Sequence, residues 1–288
     1  METSQLARSI IRTWLESGMS REAVVATFHS MGWHPQCVTQ ALEQAEVESD
    51  ALPARYHAGS ARERPWLDLD ALPTELNLQG RRIRIQARQR RPELCVFSNF
   101  LDANECEAII ALARPGLRRS LVNAGEASGN SARVVSYART SEQVWIPPGA
   151  DTLVDTLQDR VCQLTHWPAA RMEHLQVVRY GVGADFSPHY DYFVEGSKAQ
   201  RSGQRVATII MYLNTPAGGG ATSFPDIELE IYPQQGNALY FAYPDATPSE
   251  RTLHAGVPLM EGEKWIATFF LRDVAILPLQ NPAAHDGQ

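Results

Sequence analysis

From residue 175 to residue 271 the sequence runs as short apolar segments rich in β-branched and aromatic residues, each closed by a turn cluster. Strand candidates fall at 175–180, 189–193, 206–213, 221–224, 229–232, 237–242 and 264–271, with Pro/Gly-rich breaks at 216–220 and 233–236. Many short strands following a pair of helices imply a β-sandwich or barrel. Upstream, two helices are expected at 102–113 and 151–165, and two more strands at 82–87 and 94–97. The expected fold is therefore mainly β with α: a β-sandwich or barrel braced on one side by helices.

The first 47 residues have a different texture. Ile10, Ile11, Trp14 and Leu15, then the stripe from Ala23 to Met31, then Val38, Ala41 and Leu42 follow helical spacing, with Gly18 and Gly32 as breaks. The expectation is a small three-helix unit at 1–47 that either packs on the core or docks a partner, with a loose likeness to small ubiquitin-associated-type bundles. A linker at 48–66 follows, then a catalytic-size domain at 67–280 and a flexible tail at 281–288.

The net charge of −7 argues against a nucleic-acid or membrane-surface partner, since both need a basic footprint. Four cysteines without C-x-x-C spacing suit a reducing compartment. No apolar run is long enough for a membrane span, and the N-terminus lacks a signal-peptide pattern, so a cytoplasmic protein is expected.

Within this frame His189 and Asp191 are two residues apart, which on a strand puts both on one face. With His254 from a distant strand they make a two-histidine, one-carboxylate set, a donor set that leaves positions open on non-haem Fe(II) for O2 and a co-substrate. The H-x-D pair alone is a weak signal. Lys264 is sharper, because the chain's 26 basic residues include only two lysines. An ammonium is a compact point charge that can meet one carboxylate end-on.

The stretches LQVVRYGVGADFSPHYDYF, QRVATIIMYLNTPAGGGATSFPD and LHAGVPLMEGEKWIATFFLRD, with FSNFLDANECEAIIALARP and RTSEQVWIP upstream, resemble the prolyl 4-hydroxylase class of 2-oxoglutarate- and Fe(II)-dependent dioxygenases. The resemblance covers about 92–274 and implies a double-stranded β-helix, a jelly-roll core of two facing sheets. By position, it implies His189, Asp191 and His254 as iron ligands, with Lys264, Tyr180 and Thr222 around the distal carboxylate of 2-oxoglutarate and Arg205 at the substrate mouth. It further implies O2 consumption, decarboxylation to succinate and CO2, hydroxylation of an unactivated C–H, and ascorbate as reductant.

The substrate half departs from that pattern. Phe186 stands where these enzymes carry a tyrosine, Phe270 where they carry a tryptophan, and Arg272 where they carry a histidine. Period-two geometry puts Lys264, Thr268, Phe270 and Arg272 on one face of a strand, where Arg272 could meet a carboxylate or a peptide carbonyl. Three functions follow: hydroxylation of a prolyl or other residue in a protein or peptide, hydroxylation of a free amino acid or metabolite, or a non-catalytic cupin-like binding module. The Gly/Ser/Asn-rich stretches at 123–137 and 195–203 are candidate lids.

Overall fold

The computed structural model describes residues 73–119, 141–197 and 203–276, the backbone of 121–123 and 133–135, and residues Val25, Pro65, Leu67 and Gln200. Apart from Val25 and Pro65, the expected helical unit and linker lie outside the described residues, as do the expected tail at 281–288 and most of 123–137. Strands β5 (Leu121–Asn123) and β6 (Arg133–Val135) pair antiparallel, so the described ends of that stretch form a hairpin.

The main sheet has nine strands in the order β1-β2-β3-β14-β10-β17-β8-β7-β4. Those in the centre are β3 (Glu93–Ser98), β14 (Ala238–Ala242), β10 (Arg205–Tyr212), β17 (Lys264–Arg272) and β8 (Leu175–Tyr180); the flanks are β1 (Glu75–Leu78) and β2 (Arg81–Arg90) on one side, β7 (Glu142–Ile146) and β4 (Arg118–Arg119) on the other. A four-strand sheet, β13-β12-β15-β9, comprises β13 (Leu229–Ile231), β12 (Thr222–Phe224), β15 (His254–Gly256) and β9 (Phe186–His189). A two-strand ribbon joins β11 (Gly218–Gly219) to β16 (Leu259–Glu261). Every pairing recorded among these strands is antiparallel.

Strand alternation explains the two apolar clusters. On β17, Trp265, Ala267, Phe269 and Leu271 join a cluster that also holds helix residues, whereas Ile266 joins the cluster of Tyr212, Phe224, Ile231 and Phe241 drawn from both sheets. Helix α1 (Ala103–Ala113) turns Cys106, Ile109 and Ala113 inward, and α2 (Thr152–Thr165) turns Val154, Leu157, Val161 and Leu164 inward, at helical spacing on one stripe. Asp102 and Glu105 close a capping box on α1, and Asp151 caps α2. Arg160, buried on α2, pairs with Glu105 at 2.7 Å and donates to the Phe100 carbonyl, tying the helices to the sheet. Val25 is helical, half-buried, and packed against the inter-sheet cluster.

The strand expected at 189–193 is corrected. It ends at His189, and Asp191 sits in a bend just beyond it. The strand instead runs back through Pro188, which β9 tolerates because it lies at the edge of its sheet and owes no ladder N–H on the outer side. Strands β1, β4, β5, β6, β7, β11, β15 and β16 were not anticipated; β15 and β16 are three residues each, too short to show a period.

Candidate active site

The edge strand β9 and its neighbour β15 bring His189 and His254 directly opposite each other as Cα partners. Their rings lie 4.3 Å apart, centroid to centroid. Asp191 completes the group, with one carboxylate oxygen 3.6 Å from His189 Nε2 and the other 3.6 Å from His254 Nε2. Ligand atoms of all three residues lie within 4.8 Å of one another, and this is the only such group of three among the described residues.

The tautomers follow from the hydrogen bonds. His189 Nδ1 lies 2.9 Å from the Ser187 carbonyl and His254 Nδ1 lies 3.0 Å from the Thr252 carbonyl. A carbonyl only accepts, so each Nδ1 carries the proton and each Nε2 lone pair faces Asp191. Burial pulls His254 down to about 4, so it is neutral at pH 7. Burial alone would raise Asp191, but the His254 and His189 rings when protonated, and the Arg205 guanidinium, hold its carboxyl well below the usual range. Two neutral imidazoles and one ionised carboxylate fit Fe(II) with positions left for other ligands.

Lys264 opens β17 as the Cα partner of Tyr180 on β8. Its side chain is 3% exposed, and its ammonium lies 5.3 Å from the Tyr180 ring centroid. No carboxylate among the described residues pairs with it, and burial brings it down to about 8. Thr222 lies on the facing sheet, its hydroxyl 2.9 Å from the Tyr212 hydroxyl. Gly220 keeps the space open: a Cβ there would meet Lys264 Cδ at 3.2 Å and Leu259 Cδ1 at 3.1 Å. A buried cation without a counter-ion among the described residues is what a ligand's carboxylate needs.

On the other flank, the residues named from sequence as facing substrate are held by one that sequence reading missed. Glu173 takes Arg205 as a fork, Nε at 2.8 Å and Nη2 at 2.7 Å, and takes Arg272 Nη1 at 2.7 Å. Arg272 also donates to the Gly203 carbonyl at 2.9 Å. The carboxylate and carbonyl that Arg272 meets are thus the chain's own. Burial alone would raise Glu173, but Arg205 and then Arg272 hold it below its ordinary value. Arg205 stacks 3.5 Å over the Phe270 ring and donates to the Asp191 carbonyl at 3.3 Å. Phe186 stacks on the His189 ring at 3.7 Å. Trp145, also missed, is 38% exposed and leans on Phe270 at 6.2 Å. The described part of 195–203 is closed at its base by Gln204, whose side chain accepts from Phe193 N–H and donates to the Phe193 carbonyl.

The model of the 2OG-Fe(II) oxygenase superfamily matches residues 175–272, the span that carries all these groups except Trp145 and Glu173. A probable prolyl 4-hydroxylase 4 of Arabidopsis thaliana is 36% identical over 201 residues, covering 62% of this chain and 66% of the relative. A probable prolyl 4-hydroxylase 3 of the same plant is 36% identical over 198 residues, covering 62% and 68%. Among solved structures, a viral collagen prolyl hydroxylase from Paramecium bursaria Chlorella virus-1, in its 2-oxoglutarate complex, superposes with a TM-score of 0.51 at 30% identity, covering 63% of this chain and 96% of that one. The chain thus spans about two thirds of the length of the plant relatives. With the donor set, the buried lysine and the facing sheets all in place, this chain belongs to the 2-oxoglutarate- and Fe(II)-dependent oxygenase superfamily, among its prolyl 4-hydroxylases.

Proposed function

We propose that the chain hydroxylates a prolyl or similarly neutral side chain within a protein or peptide, using 2-oxoglutarate and O2, with ascorbate as the reductant. Fe(II), when bound by His189, Asp191 and His254, supplies O2 activation coupled to oxidative decarboxylation of 2-oxoglutarate to succinate and CO2. The protein's residues bind and orient around it. Lys264 neutralises the distal carboxylate of 2-oxoglutarate, while Tyr180 and Thr222 fill that carboxylate's lone pairs. The Nδ1–carbonyl bonds keep both imidazoles in the ligating tautomer, and the apolar inter-sheet cluster keeps the site dry.

The observation that carries the substrate class is the pairing of both guanidiniums with Glu173. A free amino acid brings its own carboxylate and calls for an uncommitted guanidinium fork, and here the forks of Arg205 and Arg272 are already directed at a protein carboxylate. What leads from the surface to Asp191 is an aromatic path: half-exposed Trp145, then Phe270, then the Arg205 plane that touches the Asp191 carbonyl. Such a path suits a neutral ring presented by a peptide. The relatives named prolyl 4-hydroxylases support the same reading.

The test is succinate release from 2-oxoglutarate with Fe(II) and ascorbate, in the presence of proline-containing peptides or of free proline. Stimulation by peptide, with a gain of one oxygen atom on the peptide by mass spectrometry, is expected. Stimulation by free amino acids alone would move the assignment to small-molecule hydroxylation, and no decarboxylation under any condition would leave only a binding module.

A further inference from the structure

The ligand Asp191 is held by a hydroxyl pair that lies outside the set described above. Thr208, on β10, donates from Oγ1 to Asp191 Oδ2 at 2.7 Å. The same Oγ1 lies 2.6 Å from the hydroxyl of Tyr243, just past β14. Thr208 and Tyr243 are fully buried and Asp191 is 8% exposed, so no solvent competes for these bonds.

Proton counting fixes their direction. An ionised carboxylate only accepts, and a threonine hydroxyl has one hydrogen. That hydrogen goes to Asp191 Oδ2, so Tyr243 must be the donor to Thr208. Burial, with the Asp191 charge nearby, keeps the Tyr243 phenol protonated as that role requires. The chain Tyr243 O–H to Thr208 O–H to Asp191 Oδ2 is polarised in one sense along its length. Arg205 adds a second hold, on the Asp191 carbonyl.

We propose that Thr208 and Tyr243 are positioning residues that commit Asp191 Oδ2 to a hydrogen bond and leave Oδ1 as the oxygen that ligates the metal. The inference rests on the Fe(II) reading of the site. Its consequence is functional: a carboxylate free to give both oxygens would occupy a position that co-substrate or O2 needs, and a carboxylate held by one oxygen leaves it open. Neither residue touches the reacting groups, so each acts through Asp191.

The experiment is titration of the purified full chain with Co(II), read by calorimetry and by the ligand-field absorption of the bound ion. Thr208→Val, which keeps the shape and removes the hydroxyl, is expected to weaken Co(II) binding by about 10- to 100-fold, the usual penalty for losing a partner of a metal ligand. It is also expected to alter the absorption bands, which a purely structural loss of stability would not do. Tyr243→Phe is expected to shift both in the same direction by less, and Thr208→Ser to restore both. If Thr208→Val does not fold, Tyr243→Phe and Thr208→Ser carry the comparison. Parent-like affinity and bands in Thr208→Val, or in Tyr243→Phe where only that variant folds, overturn the relay alone; failure of the unaltered chain to bind Co(II) overturns the metal reading and the relay with it.

Discussion

Lys264 is the residue whose energetics are most exposed to test. Its value falls from 10.5 to about 8 on burial, so between those limits the unfolded chain holds the proton that the folded one has released. Stability therefore rises with pH across that window and is lost as pH falls back toward 8; below it, the buried ammonium costs roughly 3 kcal/mol. Lys264→Met removes that cost, and the variant is expected to melt higher than the parent in the absence of ligand while 2-oxoglutarate binding collapses. Both can be read from one set of thermal melts with and without 2-oxoglutarate. For the parent, 2-oxoglutarate affinity should stay level up to about pH 8 and then weaken by about tenfold per pH unit, because the free protein loses the proton that the carboxylate needs. A calorimetric profile that stays flat to pH 9.5 would remove the lysine from that role.

This residue and Tyr180 were singled out in the sequence, because one of only two lysines in an arginine-rich chain stands out, and adjacent strands bring the two into register. Glu173, Thr208 and Tyr243 were not. Glu173 meets Arg272 across 99 positions and Thr208 meets Tyr243 across 35, with no spacing that a local reading can detect. Arg272 itself was read correctly as lying on the Lys264 face of its strand, but its partner was not predictable from one strand alone.

At the level of elements, the site is supported from two directions. Strand β17 gives one face to the helices and the other to the facing sheet, and it is buried at every position. The periodicity of 264–271 was visible from sequence, as were both helices with their acidic caps. The three-residue β15 was not, although it carries a metal ligand, because its pairing with β9 and β12 and not its own composition makes it a strand. Glu173, between a short 3₁₀ turn and β8, ties β10 and β17 together through their arginines. Glu173→Gln keeps the shape but leaves two buried guanidiniums facing each other, and a loss of about 3–5 kcal/mol is expected from chemical denaturation. Because the Arg205 hold on the Asp191 carbonyl goes with it, turnover with a peptide should fall further than 2-oxoglutarate affinity, which we assign to Lys264. Equal losses in both would mean that the network is a folding device only. On the helical side, Glu105→Gln removes the charge partner of Arg160, 3% exposed, and should destabilise the chain while leaving 2-oxoglutarate affinity of the folded fraction unchanged.

For the whole molecule, the consequence of building the site between two sheets is that its occupancy is coupled to global unfolding. His189 and Asp191 come from the end of one strand and the bend after it, His254 from the neighbouring strand, Thr208 and Lys264 from the large sheet opposite, so the complete set does not survive separation of the sheets. A divalent ion that binds only the folded chain must then raise its melting temperature by mass action. At a hundredfold excess over its Kd the gain is about 2.7 kcal/mol, worth about 5–10 °C for a domain of this size. Mn(II), which is not oxidised during the measurement, is the suitable probe. 2-Oxoglutarate adds a further rise only if its carboxylate and oxo group share the ion while Lys264 holds the far end, so its effect should be large with Mn(II) and small without it. His189→Ala removes one ligand and should abolish the Mn(II) shift and, with it, the metal-dependent part of the 2-oxoglutarate shift. Lys264→Met should keep the first and lose the second. If Mn(II) still protects His189→Ala as well as the parent, the ion binds elsewhere and the two-sheet site is not the metal site.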